Sequence, residues 1–376
     1  MKALRYTRRL ITFPSPSQES NRLISKYLER KLTKYGFVVE RLEYRDAAGT
    51  RKVSLVARRG PGNGGLAYFA HSDTVPAEQW HSRRYGPFRP GTYRERLYGR
   101  GACDMKGSIA CMLSALQLFQ GDKQRAPLYF VVTADEEVGY HGAKQVVAES
   151  RFYREMVETG TVGIIGEPTM LEVVHGHKGS CGFRAQTTGR AAHSSTREGI
   201  NANLAMIPFL AEMKAIHDEL ESDRKWQDDR FDPPTMSWNI GINDHTAAVN
   251  VTAAKSLCTV YFRPLPGIDI EPLIRRVVAA GERMDVHVEV IRSAKPMWTD
   301  PESPFVRKAL ELAHRPASRT VSYGTDGGVF TELEHKIVFG PGSIAQAHTI
   351  DEWIAIEQLS LGTELYAKFI RQYCGG

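Results

Sequence analysis

The sequence lacks any apolar run that approaches the roughly 20 residues of a membrane-spanning helix, so we expect no membrane partner. Its five cysteines are scattered, odd in number and without CxxC spacing, which argues against a disulfide framework and a thiolate zinc site. No apolar signal-peptide core precedes Pro14 and Pro16, and we therefore expect a cytoplasmic protein. Internal repeats and low-complexity segments are also lacking.

Charge is equally unremarkable in its distribution. The 49 basic and 43 acidic residues give a net charge of +6, and the basic runs, such as Arg8-Arg9 and Arg83-Arg84, are short. No basic stripe of the kind that binds nucleic acid is present, so we expect no nucleic-acid partner. A hydrophobic content of 42% and a charged content of 24% are those of a globular protein, and 376 residues favour two domains.

Three short apolar stretches have the character of buried strands that end in polar residues. They cover about 66–70, 128–133 and 162–165, and each runs directly into His or acidic residues. Helical patterns alternate with them, which predicts an α/β fold with a mostly parallel sheet covered on both faces. Amphipathic helices are predicted at 17–35, where Ser17 is a candidate cap, and at 351–373.

The pattern of predicted strands and helices changes near Gly179. From there to about 295 it reads as strand, helix, strand, strand, helix and strand, which is an α+β pattern. We predict that 179–295 is an inserted second domain. The first domain would then consist of 1–178 and 296–376.

Imidazoles and carboxylates recur at the ends of the predicted strands and in short turns beside them. The set consists of His71, Asp104, Glu136 and Glu137, Glu167, and His348. Two histidines and several carboxylates suit zinc, cobalt or manganese, and one bridging carboxylate would create a two-metal site. For each residue taken alone, the alternative is a polar cap at a strand end or a solvated loop.

The ordered motifs resemble the M20 metallopeptidase family, in its acetylornithine deacetylase and succinyl-diaminopimelate desuccinylase branch. They are His-Ser-Asp-Thr-Val-Pro from His71, Gly-Arg-Gly-Ala-Cys-Asp-Met-Lys-Gly around Asp104, Asp-Glu-Glu-Val-Gly, Gly-Glu-Pro-Thr, Arg-Pro-Leu-Pro-Gly and the late Ala-His. The resemblance covers essentially the whole chain. It implies a two-domain zinc-exopeptidase-like fold, with a mixed sheet flanked by helices and an inserted α+β lid that dimerises. A homodimer formed through the lid is therefore expected.

The resemblance also implies how two divalent metal ions are held, with zinc expected first and cobalt or manganese as alternatives. Asp104 would bridge the two ions. His71 and Glu167 would complete the site of one ion, and Glu137 and His348 the site of the other.

Two further residues receive roles in the reaction. Asp73 would orient His71 from behind, as a carboxylate beside a metal-ligating imidazole does. Glu136 would be the general base, which takes a proton from the attacking water and delivers it to the leaving amine. Asp135, in the same acidic run, is interpreted as a turn residue.

The remaining candidate residues concern the substrate. His193 matches the family histidine that supports the oxyanion in the partner subunit's site, and Arg263 matches the arginine that binds a substrate carboxylate, a task suited to a guanidinium. Asn250 and Lys178 match substrate-contact positions less closely. Thr325, Gly327 and Gly328 resemble the family loop that offers backbone donors to the substrate.

Within the family, the turn around His348 and the segment His177-Lys178-Gly179 resemble deacetylases more than desuccinylases. Desuccinylases carry paired arginines at the position of that segment. We therefore expect a deacetylase of an N-acyl amino acid, with N-acetylornithine, a substrate of arginine biosynthesis, as the first candidate. The alternatives are succinyl-diaminopimelate desuccinylase, N-acetylcitrulline deacetylase, and a dipeptidase or carboxypeptidase. A non-catalytic ligand-binding homologue or a structural dimer module is the alternative from another class.

Overall fold

The computed structural model describes residues 1–246 and 248–376, which form two compact units. Unit 1 contains 1–176, 297–319 and 325–376, and unit 2 contains 177–296 and 320–324. The predicted insertion was 179–295, and its position 247 lies outside the described residues. No pattern in the sequence indicated that 320–324 belongs with unit 2.

The elements up to residue 177 lie almost entirely in unit 1. The helices are α1 (Lys2–Ile11), α2 (Arg22–Lys34), α3 (Lys106–Leu118), α4 (His141–Glu149) and α5 (Arg151–Glu158). The strands are β1 (Val38–Arg45), β2 (Arg51–Arg59), β3 (Leu66–His71), β4 (Gly91–Tyr93), β5 (Arg96–Tyr98), β6 (Leu128–Thr133), β7 (Val162–Ile165) and β8 (Val174–His177).

Unit 2 has the predicted alternation of strands and helices. Its elements are β9 (Ser180–Thr188), α6 (Ala202–Ser222), β10 (Asn239–Asn243), β11 (Lys255–Phe262), α7 (Glu271–Met284) and β12 (His287–Ala294). The four strands form an antiparallel sheet in the order β10-β11-β9-β12, which leaves β10 and β12 at its edges.

The chain then returns to unit 1, except for 320–324, which belong to unit 2. The last elements are β13 (Met297–Trp298), α8 (Pro304–Ala313), β14 (Arg319–Val321), β15 (Lys336–Val338), β16 (Trp353–Ala355) and α9 (Ile356–Cys374). Among the described residues, none of the helices combines the length and the apolar character that crossing a membrane requires.

The main sheet has the strand order β1-β2-β6-β3-β7-β15-β8-β13, with β14 beside β8. β6, β3, β7 and β15 run parallel to one another, whereas β1, β2 and β8 are antiparallel to their neighbours. The sheet is therefore mixed, and the predicted α/β class is confirmed. Every residue of β3 and β6 is buried, which explains why these strands are continuously apolar.

Two predicted helix starts were wrong. α2 begins at Arg22 and not at 17, because the hydroxyl of Ser17 donates to the carboxylate of Asp73 and does not cap a helix. The final helix begins at Ile356 and not at 351, because 353–355 pair with β5 as the strand β16. In both places tertiary hydrogen bonds override a local helical pattern.

Candidate metal centre

The candidate ligands meet at one edge of the parallel part of the sheet. His71 is the last residue of β3, Glu136 and Glu137 follow β6, and Glu167 follows β7. Because β6, β3 and β7 are adjacent and parallel, their carboxyl ends coincide. The polar residues that end three separate stretches of sequence therefore face one region, as ligand sites in open α/β sheets do.

Asp104 lies between two histidines that come from distant parts of the chain. His71 Nε2 is 2.9 Å from Asp104 Oδ1 and 3.4 Å from Glu167 Oε1. His348 Nε2 is 3.3 Å from Asp104 Oδ2 and 2.9 Å from Glu137 Oε2. The two carboxylate oxygens of Asp104 thus face different histidines, which is the arrangement that a carboxylate bridging two ions requires.

The residues present fit divalent cations. The ligand atoms of His71, Asp104 and Glu137 all lie within 4.8 Å of one another. Glu137 Oε1 is buried and has no hydrogen-bond partner, and a buried carboxylate oxygen without a partner is costly unless a cation occupies the space before it. Burial and the charge of Asp104 raise the pKa of Glu137, and the same two causes raise the pKa of Glu167 to about 7. Bound cations would relieve this repulsion.

The two histidines differ in exposure but share an electrostatic environment. His71 is buried, and although burial lowers its pKa, the carboxylates of Glu167 and Asp104 outweigh this and raise the pKa well above the usual value. The side chain of His348 is 54% exposed. Hydrogen bonds to Asp104 and Glu137 raise the pKa of His348 to about 10. His348 is therefore the solvent-facing member of the set.

Asp73 contacts more than the histidine it was predicted to orient. His71 Nδ1 lies 3.0 Å from the backbone oxygen of Asp73 and 3.6 Å from its Oδ1. The carboxylate of Asp73 accepts hydrogen bonds from the backbone N–H groups of Glu136 and Glu137, each at 3.3 Å, and from the hydroxyl of Ser17 at 2.8 Å. One buried carboxylate therefore links the β3 end to the acidic loop.

Glu136 has the properties of a proton carrier. Its side chain is almost fully buried, and burial, together with the charges of Glu167 and Glu137, raises its pKa well above the usual range, against the opposing effect of His71. A raised pKa means that the carboxyl group holds a proton more readily than a free carboxylate does, which suits a group that must accept a proton and return it.

Sequence reasoning missed the residue that supports the Asp104 loop. The buried carboxylate of Glu352 accepts hydrogen bonds from the backbone N–H groups of Gly101 at 2.8 Å, Cys103 at 2.8 Å and Asp104 at 3.0 Å. Arg100 Nη1 donates to the same carboxylate across 3.0 Å. The only signal in the sequence was the acidic pair 351–352, which we had assigned to the start of a helix.

The candidates in unit 2 lie in two groups. Ser194, next to His193, donates its backbone N–H to the carbonyl of Asn250, which brings these two predicted residues together on exposed segments. Arg263 is half-buried and donates to the hydroxyl of Ser180 across 2.9 Å.

Lys178 is buried, and its ammonium donates to the backbone oxygens of Pro233 and Thr235, each at 2.6 Å. Burial, and secondarily the charge of Arg263, lower its pKa to about 8. In unit 1, the buried turn at Thr325 is closed internally, because the N–H of Gly327 donates to its hydroxyl and the N–H of Gly328 to its carbonyl. The substrate contacts of these residues stay predictions.

The chain is similar in sequence to known proteins. Residues 67–372 match peptidase family M20/M25/M40. The chain is 33% identical to a protein named acetylornithine deacetylase from Myxococcus xanthus, over all of this chain and 99% of the relative. It is 32% identical to an acetylornithine deacetylase from Pasteurella multocida, over 95% of this chain and 93% of the relative.

Solved structures share the fold at low sequence identity. An M20 family metallo-carboxypeptidase from Sulfolobus solfataricus superimposes with a TM-score of 0.78 at 16% identity, covering 99% of each chain. Human carnosine dipeptidase 1 superimposes with a TM-score of 0.76 at 16% identity, covering 98% of this chain and 95% of that chain.

Proposed function

The chain belongs to peptidase family M20/M25/M40 and is a metal-dependent amide hydrolase, and from this premise we propose that it removes the acetyl group from N-acetylornithine or a closely related N-acyl amino acid. The observation that carries the proposal is the full-length similarity, above 30% identity, to proteins named acetylornithine deacetylase. A place in arginine biosynthesis and in the cytoplasm is part of the proposal.

We propose that the centre holds two divalent metal ions, zinc first among them. Asp104 would be shared, His71 and Glu167 would hold one ion, and Glu137 and His348 the other. The support is that both oxygens of Asp104 face an imidazole and that Glu137 Oε1 is buried without a partner. When bound, the ions would polarise the amide carbonyl and make a water molecule more acidic.

Glu136 is the residue of this chain that moves the proton. It would accept a proton from the attacking water and return it to the nitrogen of the leaving amine. A buried carboxyl group with a raised pKa is suited to both proton transfers. Asp73 would hold the backbone of Glu136 and Glu137 through its two hydrogen bonds. The roles that the resemblance implies for His193 and Arg263 stay predictions.

We also propose that the protein is a homodimer formed through unit 2. The exposed face of α6 carries the apolar side chains of Leu204 and Ile207, one turn apart, and Ile242 is exposed on the edge strand β10. Exposed apolar side chains beside an unpaired strand edge are typical of an interface between two copies.

The proposed substrate is tested by the rate of hydrolysis across a panel. The purified protein is assayed on N-acetylornithine, N-acetylcitrulline, N-succinyl-diaminopimelate and a dipeptide, before and after removal of metal by a chelator and dialysis. We expect acetate release with the highest kcat/KM on N-acetylornithine, its loss after metal removal, and its recovery with added zinc or cobalt. A higher kcat/KM on another member would reassign the substrate, and no hydrolysis of any member would overturn the proposal.

A further inference from the structure

The residue that precedes the general base lies in a strained backbone position. Asp135 has a φ of +55°, in the left-handed region that non-glycine residues adopt uncommonly, although aspartate does so more often than most. The turn around it is closed by the N–H of Tyr140, which donates to the carbonyl of Asp135 across 2.9 Å. Such a conformation persists where surrounding contacts hold it, and here it lies between the end of β6 at Thr133 and Glu136.

The contacts that hold Asp135 come from a buried cation and a half-buried phenol. Asp135 Oδ1 is 2.9 Å from the Nζ of Lys52, and both side chains are almost fully buried. The hydroxyl of Tyr44 donates to Asp135 Oδ2 across 2.6 Å. The interpretation of Asp135 as an ordinary turn residue therefore omitted its main feature, which is a buried ion pair directly behind the base.

Lys52 also reaches the other side of the acidic loop. Its ammonium donates to the backbone oxygens of Ser17 and of Glu19, the latter at 2.9 Å, and lies 3.5 Å from Asp46 Oδ2. The hydroxyl of Ser17 donates to Asp73, whose carboxylate accepts the N–H groups of Glu136 and Glu137. The ammonium of Lys52 thus supports the acidic loop through two sets of contacts. One is its ion pair with Asp135, and the other runs through Ser17 to Asp73.

We propose that Lys52 and Asp135 act together as positioning residues for Glu136, by fixing the left-handed turn from which the base projects. They do not touch the reacting atoms. The proposal rests on the proposed function only in taking Glu136 as the base. The physical reason is geometric, because a displacement of a catalytic group by about 1 Å costs on the order of 10²-fold in rate.

The kinetic test replaces each member of the pair. Lys52→Met and Asp135→Asn should each lower kcat by about 10²-fold, with KM and the number of bound metal ions little changed, and Lys52→Arg should recover part of the loss. The double variant should lose less than the product of the two single losses, because residues that act as one unit are not additive. Lys336→Met is the matched control, since Lys336 is also buried and donates to the carbonyl of Leu333, away from this loop.

A second readout does not depend on activity. Hydrogen exchange of the amides of Glu136 and Glu137 should become faster in Lys52→Met, while amides in the core strand β6 keep their protection, and Lys336→Met should leave Glu136 and Glu137 as in the wild type. Unchanged kcat and unchanged exchange in Lys52→Met would overturn the proposal, as would a uniform rise in exchange across the whole protein. If the wild type hydrolyses no member of the substrate panel, the proposed function fails and the exchange measurement alone decides this inference.

Discussion

The carboxylate of Glu352 accepts a hydrogen bond from the backbone N–H of Asp104 across 3.0 Å, although the two residues are 248 positions apart in the sequence. Glu352 follows His348 by four residues, so its contact joins the segment of one proposed histidine ligand to the loop of Asp104, the carboxylate proposed to be shared. Two parts of the proposed metal site are therefore fixed to each other by a residue that is not itself a ligand. Such support from behind the ligands is what keeps metal sites in a defined geometry.

Glu352→Gln should weaken both the fold and the metal site. The substitution keeps the size of the side chain but directs an amide N–H₂ at backbone donors, so we expect a loss of about 1–3 kcal/mol in the free energy of unfolding and a lower affinity for the metal ions. Thermal unfolding and metal titration measure the two effects. Glu357→Gln, on the exposed side of α9, is the matched control and should change neither. If the two variants had equal free energies of unfolding and equal metal affinities, the role of Glu352 would be contradicted.

His71→Ala should remove one of two bound metal ions. The variant loses an imidazole that faces Asp104 and Glu167, whereas the pair formed by Glu137 and His348 stays intact. Elemental analysis of the dialysed protein gives the number of ions per chain. His217→Ala, which removes an exposed histidine next to Asp218, should keep the full complement. Two ions retained by His71→Ala would show that this histidine is not a ligand.

Glu136→Gln should keep its metal ions while kcat falls by about 10²–10⁴-fold. The amide has nearly the same shape as the carboxylate but accepts no proton, so binding and catalysis separate. Steady-state kinetics and elemental analysis of the same preparation measure both quantities. If Glu136→Gln lost metal instead, the assignments of Glu136 and Glu137 would have to be exchanged.

Metal binding should release protons, and apparent affinity should rise with pH. In the metal-free protein the pKa of His348 is raised to about 10, so at pH 7 this imidazole carries a proton that must leave before it can ligate. As pH rises from 6 towards 9, this competition weakens and the affinity increases. Titration calorimetry in buffers of different ionisation enthalpy counts the protons released. If His348→Ala released as many protons on metal binding as the wild type, this account would be contradicted.

Leu204→Asp should convert a dimer to a monomer. A carboxylate placed within an apolar contact between two copies of α6 would be buried without a partner, and the cost of its desolvation would oppose association. Light scattering after size-exclusion chromatography gives the mass in solution. Leu118→Asp alters a comparably exposed leucine in unit 1 and should leave the mass unchanged. A monomeric wild type would contradict the proposed interface.

Much of the fold was predictable because burial imposes local patterns. The strands β3, β6 and β7 were predicted as apolar runs because all but one of their residues are buried. The prediction failed where a contact with a distant residue replaced a local one. Ser17 donates to Asp73 and not to a helix end, and 353–355 pair with β5.

The sequence by itself determined which residues are candidates for the chemistry, because their types indicate a metal site and they follow strands or lie in turns. They are His71, Asp104, Glu136, Glu137, Glu167 and His348. Only the tertiary structure decided how they are held. The two oxygens of Asp104 face different histidines, Glu352 supports the loop of Asp104, and Lys52 pairs with Asp135 behind Glu136. The reason is physical, because each of these contacts joins residues far apart in the chain, and no local pattern records which distant partner a buried charge will find.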